Sequence, residues 1–132
     1  MASRYAERTD VPSDRSRAEI EATLRRYGAA AFSYGWDRSA AAVMFELTGR
    51  HVRFHLPLPD PSEHRFTHTP GRNLERTKEA QAAEYERAVR QSWRALALVI
   101  KAKLEAVEAG ITTVEQEFLA HIVLPNGSTV GD

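Results

Sequence analysis

The sequence predicts an α+β fold: a three-stranded antiparallel meander flanked by an N-terminal helix, a long helix in the C-terminal half and a short helix after it. Three observations predict it. Apolar residues recur with a helical period near the N-terminus, with period 2 over the next three segments, and with a helical period again from residue 77. Very short polar turns separate the period-2 segments, as in an antiparallel meander. Helices on one face of such a sheet form a two-layer domain.

The first helix is expected to follow Pro12. Residues 1–12 are polar and predict a loose N-terminal arm. Ser16 and Glu19 have the spacing of a capping box, and apolar residues then recur at helical spacing as far as Gly28. This pattern predicts an amphipathic helix of about three turns.

Three strands are expected next, because apolar and other residues alternate in each segment. The apolar faces are Phe32, Tyr34 and Trp36, then Ala41, Val43, Phe45 and Leu47, then Val52, Phe54 and Leu56. The alternation in the first segment is typical of core residues, whereas exposed aromatic rings on a sheet can stack on bases. Trp36, at the strand end, is the ring that we expect to be exposed.

Residues 57–74 predict a long loop, because Pro57, Pro59 and Pro61 end the sheet. Connections of this length are often functional or mobile. Residues 67–73 combine hydroxyl groups, a glycine and Arg72 just before a helix, which suits anion binding as well as an ordinary connection. The segment contains no Walker motif.

The longest helical pattern covers residues 77–109 and ends at Gly110, a typical helix-closing residue. Its apolar residues are Tyr85, Val89, Trp93, Leu96, Ile100, Leu104 and Val107. At 1.5 Å per residue this helix would extend roughly 50 Å, whereas a compact chain of this size has a radius of gyration of about 14 Å. The helix must therefore bend, project or be covered by another subunit, and we favour a homo-oligomer.

A short helix is expected after Gly110. Thr112 and Glu115 have the spacing of a second capping box. The apolar residues Val114, Phe118 and Ile122 then recur four residues apart. The following Pro-Asn-Gly sequence is expected to end the helix.

Composition limits the function classes. The 132 residues include 18 Lys plus Arg, 18 Asp plus Glu and no Cys. Balanced charge argues against non-specific coating of nucleic acid, and the lack of cysteine excludes a disulfide framework, a thiol nucleophile and thiolate zinc sites. We expect a single domain over residues 1–132, located in the cytoplasm, because no signal peptide or membrane-spanning segment is recognisable.

Cations lie on one line of the long helix. Arg87, Arg90, Arg94 and Lys101 fall within an arc of about 60° on a helical wheel, away from the apolar residues. This cationic line could follow a phosphate backbone or bind one anionic ligand. The alternative is a solvated face that neighbouring carboxylates partly neutralise.

Lys103 lies inside the apolar sector of the same helix, where an unpaired ammonium group would be costly. Three arrangements are open. The side chain reaches solvent at the edge, pairs with a carboxylate, or faces a subunit interface or ligand cavity.

Arg53 and His55 lie on the face of the third strand opposite its apolar residues, and His51 lies on the same side. If helices cover the apolar face, these groups point to solvent or to a partner. Metal binding is not expected, because only Asp60 and Glu63 are nearby carboxylates. We expect no cofactor either.

Catalysis has little support, because the sequence contains no nucleophile elbow, dinucleotide fingerprint or carboxylates at a recognisable spacing. Serine, histidine and aspartate are all present, but a triad is defined by geometry rather than by spacing. We favour a non-catalytic protein, and an enzyme acting on nucleotides stays an open alternative.

Five stretches occur in an order that resembles a known family: Arg17–Ala29, Phe32–Trp36, Val52–Pro59, Phe66–Pro70 and Trp93–Gly110. The family comprises small proteins encoded by bacteriophages and prophages, generally without an assigned function. The resemblance implies a phage origin and expression in a bacterial cytoplasm. It supplies no catalytic residues.

A second resemblance concerns topology. Helix, three-stranded meander and helix is also the order in double-stranded RNA-binding domains, and residues 77–80 are similar to the start of their second helix. Only Lys78 stands where those domains have a lysine cluster, and the helix that follows is far longer. This similarity is one of fold alone.

These features predict a non-catalytic, oligomeric phage accessory protein that binds an anionic nucleotide-like ligand or nucleic acid, in counter-defence or phage DNA metabolism. The alternative is a protein-interaction module that inhibits or redirects a host protein. Charge-assisted hydrogen bonds to phosphate oxygens would come from the candidate ligand-binding residues. They are Arg53, His55, Arg72, Arg76, Arg90, Arg94, Lys101 and Lys103.

Overall fold

The computed structural model describes residues 2–132, with side chains described from Asp14 onward. Within these residues the elements are α1 (Ala2–Arg26), β1 (Ala31–Trp36), β2 (Ala40–Leu47), β3 (Arg50–Pro57), α2 (His64–Thr67), α3 (Lys78–Glu108), α4 (Val114–Glu117) and a 3-10 turn (Leu119–His121). The predicted α+β class and the order of its main elements are confirmed.

The three strands form an antiparallel sheet in the order β1-β2-β3. Thr48 and Gly49 connect β2 to β3 with φ angles of 48° and 79°. Positive φ at both positions gives a tight turn whose twist matches that of the strands it joins. The register aligns the apolar residues of the three strands on one face, which we call the inner face.

The core lies between the inner face and the two long helices. Leu24 of α1, Ile100 of α3 and Val43 of β2 are fully buried there. Phe118 closes the core near α4, with its ring edge-on to those of Phe45 and Phe54 at 5.8 and 6.1 Å between ring centroids. Burial of each such side chain contributes about 1.5–3 kcal/mol, so the helices are fixed on the inner face.

The bounds of α3 agree with the expected helix. The Thr77 hydroxyl accepts a hydrogen bond from the backbone of Ala80 at its N-terminus. Gly110 follows its C-terminus with φ 78°, and its N–H donates to the carbonyl of Val107. The N–H of Ile111 donates to the carbonyl of Ala106, which completes a Schellman motif.

The apolar residues of α3 are buried by the same chain. Trp93, Leu96, Ile100 and Leu104 pack into the common core with α1 and the sheet. Covering these residues therefore does not require the second subunit that the length of the helix suggested, because α1 is itself a helix of 25 residues. In the part of the chain that the structure describes, no helix has both the length and the apolar composition needed to cross a membrane.

The expected N-terminal arm is wrong, because α1 begins at Ala2. Residues 2–12 include alanine, arginine and glutamate, which have high helix propensity and allow the helix to start early. Ser16 is consequently a buried residue inside α1 and not its N-cap. Residue 1 lies outside the described residues.

The predicted loop over residues 57–74 is only partly irregular. It contains the one-turn helix α2, and an isolated bridge joins His68 to Glu75. Phe66 is buried with its ring 5.6 Å from that of Tyr85 in an edge-on contact, and this contact fixes the segment against α3.

The second capping box is one residue later than predicted. Thr113 accepts a hydrogen bond from the backbone of Gln116, whose side chain accepts one from the backbone of Thr113. Glutamine serves as well as glutamate in this motif, so both spacings were available. The helix also ends early, because Ile122 pairs with Val52 in an isolated antiparallel bridge beside β3.

Candidate ligand-binding cleft

A cleft of about 1070 Å³ opens where α1, the end of β1, the segment after β3 and the first half of α3 meet. We call it the aromatic cleft. It is lined by Asp14, Arg17, Tyr34, Trp36, Asp37, Arg38, Ser39, Leu58, Asp60, Pro61, Tyr85, Val89 and Trp93.

The aromatic residues of β1 extend from the core into this cleft. They share the inner face with the buried residues of β2, because Tyr34 is registered with Val43 and Trp36 with Ala41. Phe32 is half-buried, but the exposed fraction rises to 43% for Tyr34 and 68% for Trp36. Exposure of Trp36 was the expected outcome and is confirmed, whereas the core position favoured for Tyr34 is wrong. The helices leave this end of the inner face open.

Arg17 forms one wall of the cleft. Its guanidinium carbon lies 3.9 Å from the centroid of the Tyr34 ring. Its other partner is the carboxylate of Asp14, about one turn earlier in α1. The Nε of Arg17 is buried and has no hydrogen-bond partner among the described side chains and backbone groups. The charge of Arg17 is therefore already held by an aromatic ring and a carboxylate.

Asp37 closes the turn between β1 and β2. Its Oδ1 accepts hydrogen bonds from the N–H groups of Ser39 and Ala40 at 2.8 and 3.0 Å, and from the Ser39 hydroxyl at 3.0 Å. These bonds, chiefly the one from the Ser39 backbone, hold the pKa of Asp37 below its ordinary value. The carboxylate is ionised at neutral pH.

Asp60, in the segment after β3, supplies a second ionised carboxylate to the cleft. Its Oδ1 accepts hydrogen bonds from the N–H and hydroxyl of Ser62 at 2.9 and 2.7 Å, which lower its pKa. Burial raises the pKa of the Tyr85 hydroxyl, and the charge of Asp60 raises it further. Tyr85 is therefore protonated at neutral pH and its hydroxyl can donate a hydrogen bond to a ligand.

Arg38 is the second cation among the described lining residues of the cleft. It is exposed on the β1-β2 turn and forms no ion pair with any carboxylate of residues 14–132. Since Asp14 and Arg17 pair with each other, the described lining residues offer a ligand the charges of Asp37, Asp60 and Arg38. With buried Trp93 also among the lining residues, the cleft suits a planar ring that carries hydrogen-bond donors and a small anionic group.

The cationic line lies elsewhere. Arg90, Arg94 and Lys101 are exposed on the side of α3 that faces away from the core, as expected. None of them pairs with a carboxylate among the side chains that the structure describes. They do not line the aromatic cleft.

Arg53 and His55 lie on the other side of the molecule, on the outer face of the sheet. The Arg53 guanidinium is 4.0 Å from the carboxylate of Asp132, whose pKa is lowered chiefly by a hydrogen bond from the backbone of Thr129. Since the sheet separates Arg53 from α3, a small ligand cannot contact both Arg53 and Arg90.

The other two predicted arginines and Lys103 are also apart from the cleft. Arg72 is exposed, and Arg76 connects the loop to α3 by donating to the carbonyl of His68 at 3.2 Å and lying 3.7 Å from Glu84. Lys103 pairs with a carboxylate, one of its three expected arrangements: its Nζ lies 3.2 Å from both the carboxylate and the backbone oxygen of Glu117. The candidate residues therefore do not form one site.

Sequence reasoning missed most of the lining of the cleft. Asp14, Arg17, Asp60 and Tyr85 come from distant parts of the chain and share no motif. The available signal was Trp36, expected to be exposed, followed directly by an aspartate and an arginine in a turn.

Neither metal coordination nor similarity to known proteins adds to this assignment. Among the side chains described, no group of three or more histidine, aspartate or glutamate residues could hold a metal ion. No protein-family model, curated protein or solved structure matches the chain.

Proposed function

We propose that this is a non-catalytic binding protein for a small nucleotide-like ligand and that the aromatic cleft is its binding site. The observation that carries the proposal is the exposure of Tyr34 and Trp36 on a sheet face that elsewhere forms the core. The cleft, at about 1070 Å³, is slightly larger than the usual range of small-molecule sites, which is roughly 300–1,000 Å³.

Stacking of a base on the exposed indole of Trp36 supplies the first interaction. Each base stacked on an aromatic ring contributes about 1–3 kcal/mol, and stacking accepts any base because every base has a π-face. Hydrogen bonds supply selectivity: the ionised carboxylates of Asp37 and Asp60 accept from amino or hydroxyl groups of the ligand. The Tyr85 hydroxyl donates to an oxygen or nitrogen.

Arg38 is the residue that we assign to a phosphate group, because it is the exposed cation of the cleft without an ion pair to a described carboxylate. Among the described lining residues, one such cation beside two ionised aspartates disfavours a highly charged ligand. A nucleoside or nucleoside monophosphate therefore fits better than a triphosphate or a nucleic-acid strand, whose binding depends on neutralising several phosphates.

The resemblance to phage-encoded proteins suggests two uses for such a binding protein. A phage protein that binds a nucleotide could sequester a signal of host immunity, which is counter-defence, or act in phage DNA metabolism. Sequestration needs tight binding without turnover.

Calorimetric titration of the purified chain with nucleosides and nucleoside monophosphates tests the proposal. Wild type is expected to bind at least one of them, and Trp36→Ala is expected to weaken binding by about 5- to 150-fold, the equivalent of a lost stacking contribution of about 1–3 kcal/mol. Leu98→Ala, which shortens an exposed apolar side chain of α3 outside the cleft, is the matched control. Wild type that binds no member of the series, or equal affinity in wild type and Trp36→Ala, rejects the proposal.

A protein-interaction function is the second candidate, and one observation favours it. Leu98 and Val99 are exposed on α3 close to the cationic line. Salt separates this interface from binding of a nucleoside monophosphate, because binding through a phosphate weakens between low and moderate salt whereas an apolar protein interface changes little.

A further inference from the structure

Strand β1 forms an edge of the sheet, and some of its backbone groups have no partner among the described residues. The N–H of Asp37 donates to the carbonyl of Ala40 at 2.9 Å, directly beyond the registered pairs of β1 and β2. Hydrogen-bonded and non-hydrogen-bonded pairs alternate along an antiparallel ladder. The N–H and C=O groups of Phe32, Tyr34 and Trp36 therefore point away from β2, and no described group bonds to them.

The opposite edge of the sheet is partly covered. The N–H of Val123 donates to the carbonyl of His51 at 2.8 Å, and Ile122 forms a bridge with Val52. The segment after the 3-10 turn thus pairs with the edge of β3 that β2 does not cover. Folded proteins usually block an edge strand in this way, or with charged residues, proline or a bulge.

Within β1 none of the blocking residues is present. The strand reads Ala-Phe-Ser-Tyr-Gly-Trp, without charge or proline, and all its residues except Phe32 are exposed. An uncharged strand with three aromatic side chains and a free edge is a template for pairing with another strand.

We propose that β1 pairs antiparallel with β1 of a second copy of this chain, about a two-fold axis at Tyr34. The strand is self-complementary in this register, because Phe32 faces the partner subunit's Trp36 and Tyr34 faces the partner subunit's Tyr34. The aromatic rings of both copies lie on the same inner face and form cross-strand pairs, which stabilise a sheet. On the outer face Ser33 lies opposite the partner subunit's Gly35, so neither bulk nor like charges oppose the contact on that face.

This pairing joins two three-stranded sheets into one continuous sheet and satisfies the free backbone groups of Phe32, Tyr34 and Trp36. It does not rest on the proposed ligand. Ser33 and Gly35, which lie on the outer face, are outside the aromatic cleft and provide positions for a test that leaves the cleft unchanged.

Sedimentation velocity of the full chain over the micromolar range is the experiment. Wild type is expected to form a concentration-dependent dimer. The double variant Ser33→Lys/Gly35→Lys places like charges opposite each other at both symmetry-related positions and is expected to weaken the dimer by about tenfold or more. A Cβ at position 35 meets no atom within 4 Å, so the strand can accept the change.

The matched control is Ser33→Lys/Gly35→Glu, which changes the same positions but places opposite charges face to face. It is expected to dimerise at least as tightly as wild type, while circular dichroism shows the same fold in all three proteins. A monomeric wild type, a Lys/Lys variant that dimerises as tightly as wild type, or a Lys/Glu variant as weak as the Lys/Lys variant overturns the proposal. If a monomeric wild type instead binds an extended peptide, and the Lys/Lys variant does not, the edge belongs to a peptide partner.

Discussion

The guanidinium of Arg17 lies 3.9 Å from the centre of the Tyr34 ring and connects α1 to the open end of β1. Tyr34 is on the inner face but beyond the buried core, so Arg17 covers a ring that the helices leave partly exposed. Both residues line the aromatic cleft, so the contact joins two of its walls.

Removing either member of this pair should lower stability through the same interaction. Arg17→Ala and Tyr34→Leu are each expected to lower the free energy of unfolding, with a coupling between them of about 0.5–1.5 kcal/mol, since the Arg17 side chain is only 19% exposed. Urea unfolding of the two single variants and the double variant measures the coupling. Effects that add without coupling would show that the contact contributes nothing.

Lys103 should matter for stability and not for ligand binding. Its ammonium group contacts the carboxylate and carbonyl of Glu117 at 3.2 Å, and both side chains are about one-quarter exposed. Lys103→Ala is expected to lower the free energy of unfolding by about 1 kcal/mol. Lys101→Ala, which removes an exposed lysine on the same helix, should change it by less than about 0.5 kcal/mol. Equal effects of the two variants would contradict this role.

His121 should make the protein less stable as the pH falls below neutral. Its ring stacks on Phe54 at 3.9 Å between centroids, and burial, followed by the charge of Lys103, lowers its pKa in the folded state. The unfolded chain then binds more protons than the folded chain between the lowered pKa and the ordinary value of about 6.5. The free energy of unfolding is therefore constant above that range and decreases as pH falls through it.

Urea unfolding at pH 7.5 and at pH 5.5 measures this dependence. His121→Phe keeps a stacked ring but cannot be protonated, and it is expected to lose much of the difference between the two pH values. His64→Gln, at an exposed position in α2, should keep it. A wild-type stability that does not decrease at the lower pH would disprove the assignment.

Glycine should be required at position 110 because of the backbone conformation there, and not because a side chain would lack room. A Cβ there would meet no atom within 4 Å, but φ is 78°, which side-chain-bearing residues rarely adopt. Gly110→Ala is expected to lower the free energy of unfolding by about 1 kcal/mol. Gly35→Ala, also at an open position but with an ordinary strand conformation, is the comparison and should have a smaller effect in the same unfolding experiment.

Arg38 should affect only ligands that carry a phosphate. Arg38→Ala is expected to weaken binding of a nucleoside monophosphate by about tenfold, since a hydrogen bond to a charged group contributes about 1.5–3 kcal/mol before solvent screening. Binding of the matching nucleoside should be unchanged. Arg94→Ala removes an arginine from the cationic line and should alter neither affinity in calorimetry. The reverse result, with Arg94→Ala weakening the monophosphate, would move the phosphate site to α3.

The secondary structure was largely readable from the sequence because its causes are local. Alternation of apolar residues predicted the strands, and a helical period ending at Gly110 predicted α3. The exposure of Trp36 was predicted correctly from its position at a strand end. The predicted start of α1 was wrong, because Ser16 has a side chain that can cap a helix but lies inside α1. Propensity acts over a few residues and does not distinguish a cap from a residue inside a helix.

The candidate site was decided by tertiary structure. Exposed cations were identified correctly, but the fold places Arg53 and Arg90 on opposite sides of the molecule and pairs Lys103 with Glu117. The aromatic cleft forms where segments distant in sequence meet, and its depth depends on where the two long helices stop covering the sheet. Apolar periodicity specifies which face of each element is buried, whereas the relative placement of the elements arises from long-range packing, which no local pattern encodes.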